Sequence, residues 1–513
     1  MCSQVAALIS VALLATVGVR AHPQAEVPPQ VTTAQGVLSG SKSAEVEGFF
    51  NIPFAAAPIG DLRWRAPQPP PSWDGVRDAS QLGPACPQPI RPAVVAGGIA
   101  DNQSEDCLQL NIWRPKRGRS LPVMVWIHGG ANVLGSGTFP LFDGTAFARR
   151  GVVLVTINYR LGALGYFAHP ALKQASQHDQ PIGNYGLMDQ IAALRWVQEN
   201  IATFGGNPNQ VTVFGESAGA IAISTMLAMP EVKGLFSGAI LQSGVGLADL
   251  RELDQELLRG IEIVEQAGAG PDTDATALRA LPVGALLGAS GRRNPGELTG
   301  PFIDGTLVRQ TPWRVVAREE VIDVPIMVGA NSNEASVIRA MGVPPEAALA
   351  YLGDTKAGRA AYGNEIGDDE LVRQVLGDAW FVAPARWLAD RAKAGAPTYL
   401  YHFDYVAEAR RDRTKGAAHG AEIAYVFGNL DYLETVVGAV TDSDRRFSEG
   451  IADCWVSFAR TGAPTCALAA GWPRYDSSTD RLALFSDDTR IVHAFRKAQI
   501  DHLLKVHAMR SAD

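Results

Sequence analysis

The sequence predicts an α/β fold built on a mostly parallel sheet, and three observations carry that expectation. Short runs of β-forming residues recur along the 513 residues, each closed by glycine or a polar turn. Between them lie stretches whose apolar residues repeat at helical spacing. The β-rich runs are continuously apolar rather than alternating, which suits strands covered on both faces.

The elements follow in order. Val5 to Val19 is apolar but too short to span a bilayer, and Val19, Arg20 and Ala21 fit a small-residue cleavage site. Residues 1–21 therefore read as a secretory signal, although no Lys or Arg precedes the apolar run, and 22–513 as one domain. Ala66 to Trp73 is proline-rich and reads as a rigid surface loop. Strands are expected at Pro122 to Ile127, Val152 to Asn158, Val211 to Phe214, Gly238 to Leu241, Val324 to Val328 and Thr398 to Phe403. A helix is expected from Asp189 to Phe204, with Ile191, Leu194, Val197 and Ile201 on one face and Gly205 and Gly206 stopping it. Two further regions, Gln266 to Glu297 and Pro345 to Ala394, read as insertions over the sheet.

Composition narrows the function. Lys and Arg number 45 against 53 Asp and Glu, a net charge of −8, with no basic block. That argues against nucleic acid and anionic membrane as partners. No internal run is long and apolar enough to span a bilayer, so no membrane anchor is expected. Cys2 leaves with the signal. Cys86, Cys107, Cys454 and Cys466 remain, an even number in an exported chain, which suggests two disulfides. Three connectivities are open, and the sequence-local one joins Cys86 to Cys107 and Cys454 to Cys466. Without a C-x-x-C pair no zinc site is expected, and neither a metal nor a cofactor is called for.

The chemistry centres on VTVFGESAGA, Val211 to Ala220. Ser217 stands between a buried strand and a helix, on a turn made possible by Gly215 and Gly219. This G-x-S-x-G in a strand–turn–helix setting is the nucleophile elbow of α/β-hydrolases. A serine hydroxyl needs a base, and in that fold the acid and then the histidine follow the serine in the chain. His402 lies inside a strand-like run and reads as a sheet histidine. His419, in the small-residue loop GAAHGAE, reads as the base. Glu334 follows the strand ending in VPIMVG and reads as the acid that orients the imidazole. Asp304 reads first as a turn residue, and Asp323 lies at the wrong end of its strand. His128, Gly129, Gly130 and Ala131 follow a strand as an oxyanion loop does, with Gly130, Ala131 and Ala218 offering backbone N–H groups. Ala131 stands where a third glycine is usual, and can donate if its backbone angles are allowed. His128 reads as a structural histidine supporting this loop.

On these residues the chain resembles the type-B carboxylesterases, the cholinesterase-like branch of the α/β-hydrolases. FFNIPFAAAPIGDLRW resembles that family's N-terminal block and SEDCLQLNIW its second signature. NYRLGALGYF, NYGLMDQIAALRWVQENIATFGGNP and FGESAGA follow in the family's order. The resemblance covers everything after the signal. It implies an α/β-hydrolase fold with large insertions over the active site, a serine esterase with a Ser217–Glu334–His419 triad, and a Cys86–Cys107 disulfide. It also implies supporting roles for Gly129, Glu216 and Ser243. Asn132 stands where the family has an aromatic residue, so the acyl pocket is not expected to be the usual one. No tryptophan is assignable to choline binding, so cholinesterase activity is not expected. The setting implied is a secreted or periplasmic enzyme acting on a small-molecule ester, of unassigned oligomeric state.

Two other readings stand beside this one. Some bacterial members of that family act on polycarboxylate esters of the fumonisin type, and Arg410, Arg411, Arg413 and Lys415 crowd ahead of His419. They form either a solvated surface run or a charge that selects anionic esters. The same fold also hosts non-catalytic binding modules, in which a triad residue is typically replaced; here all three positions are filled.

Overall fold

The computed structural model describes residues 27–90, 98, 100–176, 180–290, 299–392 and 395–510, so the expected signal segment lies outside it. Thirteen strands among these residues form one sheet. They are β1 (Gln30–Thr32), β2 (Val37–Lys42), β3 (Val46–Pro53), β4 (Val76–Ala79), β5 (Gln109–Pro115) and β6 (Leu121–Ile127). After them come β7 (Val153–Ile157), β8 (Gly206–Glu216), β9 (Gly238–Gln242), β10 (Ile326–Asn331), β11 (Thr398–Phe403), β12 (Arg481–Phe485) and β13 (Arg490–His493).

The order is β1-β2-β3-β5-β7-β6-β8-β9-β10-β11-β12-β13, with β4 beside β2. Strands β7 to β12 in that order run parallel, β5 and β13 flank them antiparallel, and β3 pairs antiparallel with β5. Helices cover both faces, which is why the parallel strands are apolar throughout. In β6, Val123, Val125 and Ile127 enter one core, while Met124 and Trp126 enter the other with Phe142, Phe214 and Phe427. Fully burying each such side chain contributes about 1.5–3 kcal/mol.

Differences from the expected elements have local causes. The expected strand at Val324 starts two residues later, because Pro325 has no N–H for the ladder and pairing begins at Ile326. The expected helix at Asp189 begins earlier, at Tyr185, and closes through a 3-10 turn at Ile201–Phe204. Gly205, at φ 84°, then turns the chain in the left-handed region open to glycine. The region 266–297 holds the short helices Ala275–Arg279 and Val283–Ser290. Region 345–394 is helical and contains a π turn at Asp378–Val382. Both proposed disulfides are present, Cys86–Cys107 and Cys454–Cys466. Among the described residues no helix is long and apolar enough to cross a membrane.

The loops that matter leave the carboxyl ends of β6, β8, β10 and β11. In an open parallel sheet that is the edge where ligands bind.

Candidate active site

Strand β8 ends at Glu216 and the helix Ala218–Leu227 begins two residues later, leaving Ser217 on the turn at φ 54° and ψ −121°. Such a conformation costs a non-glycine residue about 1–3 kcal/mol and persists only when neighbours fix it. Here they do. The Ser217 N–H donates to the Gln242 carbonyl at 2.9 Å, tying the turn to β9. A Cβ at Gly219 would lie 2.0 Å from the Ile127 carbonyl oxygen, and one at Gly215 2.7 Å from it. Only glycines let the elbow sit this close to the end of β6.

Glu334 follows β10. Its Oε1 accepts from the Asn331 N–H and from Ser243 Oγ, each at 2.6 Å. Its Oε2 lies 2.5 Å from His419 Nδ1. A carboxylate can only accept, so Nδ1 carries the proton and Nε2 is left as the base. The histidine backbone is held as well, its N–H donating to Ser336 Oγ at 3.0 Å. The ring packs against Phe381, centroid to centroid 4.8 Å. Nε2 lies 2.9 Å from Glu216 Oε1, out of line for a hydrogen bond but close enough for strong charge attraction. Burial alone would lower the pKa of His419. The charges of Glu216 and Glu334 outweigh it and hold the imidazole well above its ordinary value.

The oxyanion loop turns through three left-handed residues: Gly130 at φ 105°, Ala131 at 54° and Asn132 at 57°. It is closed by the Val133 and Leu134 N–H groups donating to the Gly130 carbonyl at 3.0 Å. Ala131 therefore keeps allowed angles, at a cost of about 1–2 kcal/mol. A Cβ at Gly129 would lie 2.6 Å from Glu216 Oε2 and 3.1 Å from Ser217 Cβ, so this glycine lets the loop close on the nucleophile. His128 stacks on Tyr159 at 4.4 Å, its Nδ1 2.8 Å from the Gly129 carbonyl oxygen. Burial drops its pKa to about 4, and a neutral ring that supports the loop is the result.

The alternatives fall elsewhere. Asp304 accepts the N–H groups of Thr306, Leu307 and Val308, as a turn residue does. His402 is buried in β11 against Phe495, and burial takes its pKa down to about 3.

Two features were not anticipated. Glu422, three residues after His419, is fully buried; Gln242 Nε2 donates to it at 2.9 Å and Asn331 Nδ2 at 2.5 Å. Burial first, and then the charge of Glu216, push its pKa up to about 7. The π turn at Asp378–Val382 sets Trp380 and Phe381 on the wall of the cavity that also holds Ser217. A π turn is rare and recurs at functional sites; glycine spacing and hydrophobic periodicity give no signal for it.

Ser217, Ala131, Ala218 and Asn132 line a cavity of about 350 Å³. Asn132 is 3% exposed, and its Nδ2 donates to the Thr299 carbonyl at 2.9 Å. A small amide thus stands where an aromatic ring would fill space. His419 lines a second cavity, of about 420 Å³, shared with Arg410 and Arg413. The other cations of that run turn away, Arg411 to Asp487 at 2.6 Å and Lys415 to Glu370 at 3.3 Å. Among the described residues no group of three or more His, Cys, Asp or Glu side chains is placed to hold a metal ion.

The sequence matches the model of the carboxylesterase family over residues 27–366 and 367–503. It is 38% identical over 476 residues to a fumonisin B1 esterase of Sphingopyxis macrogoltabida, covering 86% of this chain and 84% of that one. It is 35% identical over 480 residues to a para-nitrobenzyl esterase of Bacillus subtilis, covering 90% and 95%. Among solved structures, a PNB esterase superposes with a TM-score of 0.82 at 32% identity, over 92% of this chain and 99% of that one. A Geobacillus stearothermophilus carboxylesterase gives 0.79 at 33% identity, with the same coverage.

Proposed function

The chain belongs to the carboxylesterase family and is a carboxylic ester hydrolase, and from that premise we propose that Ser217, Glu334 and His419 are its catalytic triad. The observation that carries the proposal is the 2.5 Å contact between Glu334 Oε2 and His419 Nδ1, which leaves Nε2 as the proton acceptor.

Ser217 Oγ attacks the ester carbonyl carbon and gives its proton to His419 Nε2. The oxygen that becomes negative is met by the N–H groups of Gly130, Ala131 and Ala218. Collapse breaks the bond to the alcohol oxygen, which takes the proton from Nε2 and leaves. Water then repeats the sequence on the acyl-serine, releasing the acid and restoring Ser217. Gly129, Glu216 and Ser243 support the site by close packing, charge and a hydrogen bond to Glu334.

Ser217→Ala tests this reading. Its kcat on a neutral p-nitrophenyl ester should fall by about 10³-fold or more, with the circular dichroism spectrum unchanged. A serine-directed phosphonate should label Ser217 in the wild type. Labelling of another residue, or turnover kept above about a tenth, would remove Ser217 from the mechanism.

A second reading, selectivity for anionic or polycarboxylate esters, is favoured by Arg410 and Arg413 on the cavity beside His419. The name of the relative that acts on fumonisin B1 points the same way. We further propose export, with residues 1–21 removed as a signal and 22–513 as one domain. The two disulfides support an oxidising compartment. An N-terminal sequence of the secreted protein that begins at His22 is the expected result, and recovery of intact Met1 would refute it.

A further inference from the structure

Residues 368–391 run helically from Asp368–Gly377 through the π turn Asp378–Val382 into Ala383–Arg391. Pro384 lies inside that run. In an unbroken α-helix its ring would clash with the Trp380 carbonyl, four residues back. The widened turn, in which the Ala383 N–H donates to the Asp378 carbonyl, relieves the clash. Proline demands such a turn but does not say which residues it takes in. Moving the extra residue by one position would rotate the side chains it passes by about 100°.

The position matters because this run touches two members of the triad proposed above, on which the inference rests. A Cβ at Gly377 would lie 3.4 Å from Glu334 Cβ, in van der Waals contact. Phe381 packs on the His419 ring, centroid to centroid 4.8 Å. Glu334 holds the imidazole at Nδ1, and Phe381 fills the space beside the ring.

One ion pair anchors the turn. Asp378, its first residue, is 4% exposed, and its Oδ2 accepts from Arg496 Nη2 at 2.5 Å and from the Tyr362 hydroxyl at 2.8 Å. Arg496 Nη2 also donates to Gln374 Oε1 at 3.0 Å, one turn earlier in the same run. Arg496 stands at φ 53°, a left-handed conformation that a non-glycine residue keeps only when its surroundings fix it. Desolvation offsets much of what a buried pair gains in attraction, so stability alone is a weak reason for one. Neither residue lines the cavity of Ser217, whereas Trp380 and Phe381 do.

We propose that Asp378 and Arg496 are positioning residues for the reaction: their pair fixes the π turn and, through Phe381, holds the His419 imidazole in the orientation the triad uses.

The test removes both charges, Asp378→Asn with Arg496→Met, so that no unpaired charge is left buried. Phe381→Leu removes the ring, and a third variant carries all three changes. Hydrolysis of a neutral p-nitrophenyl ester is referred to the active sites titrated by a serine-directed phosphonate, so misfolded molecules do not count. The pair variant should lose about tenfold or more in kcat per site. KM should stay within about twofold, because His419 serves acylation and deacylation alike and both slow together. Phe381→Leu should lose a similar factor, and adding it to the pair variant should cost no more than about twofold further, since both act through one contact. Arg63→Met with Glu105→Gln removes a two-bonded pair whose residues do not line the Ser217 cavity. That variant should melt lower with kcat per site within about twofold of wild type. Wild-type kcat per site in the pair variant overturns the proposal. So does a raised KM with kcat kept, which would make the turn a cavity wall and nothing more, and so do losses that multiply in the triple variant. Where the pair variant does not fold, Phe381→Leu decides, and wild-type kcat per site there overturns the proposal as well. Failure of the triad itself would appear separately, as phosphonate labelling away from Ser217.

Discussion

Gly130→Ala puts the oxyanion loop under a defined load. A Cβ at this position would lie 2.3 Å from the Leu134 carbonyl oxygen, where an ordinary contact is about 3.5 Å. The obstacle is backbone, held by the same turn, so the loop itself must give way by about 1 Å. The φ of 105° adds strain that glycine does not feel, and together these should destabilise the protein by about 1–3 kcal/mol. The larger effect should be on rate. Displacing a donor by about 1 Å from a developing oxyanion costs about 10²–10³ in kcat. Because that interaction is made in the transition state, kcat and kcat/KM should fall together. Ala131→Gly supplies the opposite case. Its φ of 54° already costs the alanine side chain energy, so glycine should stabilise by up to about 1 kcal/mol after its greater freedom in the unfolded chain is counted. The N–H stays in place, so kcat should remain within about twofold. The assays are steady-state kinetics on a neutral p-nitrophenyl ester and urea unfolding of all three proteins. A Gly130→Ala enzyme with wild-type kcat would refute the placement of the oxyanion hole in this loop.

Glu216→Gln should move the acid limb of the kcat/KM–pH profile to lower pH, because one of the two carboxylates that raise the pKa of His419 is gone; an unmoved or raised limb would refute it. Glu422 makes a stability prediction: with a folded pKa of about 7 against 4.5 unfolded, the native state binds the extra proton between those values. Stability should therefore fall as pH rises through that window, by about 3 kcal/mol in all. Comparing urea unfolding of the wild type and Glu422→Gln across that range tests this, since the variant should lack the slope. Reduction-proof removal of the first disulfide, Cys86→Ser with Cys107→Ser, opens a loop spanning 21 positions and should cost about 3 kcal/mol. In a chain this long that is only about 3 °C of melting temperature, and finding both thiols free in exported wild-type protein would refute the bond.

How much of this was legible in the sequence depends on how local each signal is. The elbow is local: the β-run, the two glycines and the alanines that follow it are adjacent in the chain, and so are the oxyanion residues. Glu334 and His419 are distant from Ser217, yet each stands just beyond a readable strand or in a small-residue loop, and chain order supplies the rest. Flanking strands such as β3 and β5 were missed because VEGFFNIP and QLNIWRP mix polar and apolar residues without a clean period; their pairing is decided by the sheet they join.

Glu422 marks where local reading ends. In the first turn of the helix Glu422–Phe427, a glutamate reads as a surface acid favoured by the helix dipole. Its meaning comes from its neighbours. Trp455 Nε1 donates to Gln242 Oε1 at 2.9 Å, which obliges the Gln242 amide to point its N–H₂ at Glu422. Asn331 Nδ2 is fixed likewise, donating also to the Ala418 carbonyl at 2.8 Å. Two pinned donors can accommodate either charge state of this carboxyl but not an amide's N–H₂, so Glu422→Gln should lose hydrogen bonds as well as its pH dependence. A variant with the slope removed and no loss of stability at its plateau would mean that these amides are free to turn, and that the donors are not what fixes the acid in place.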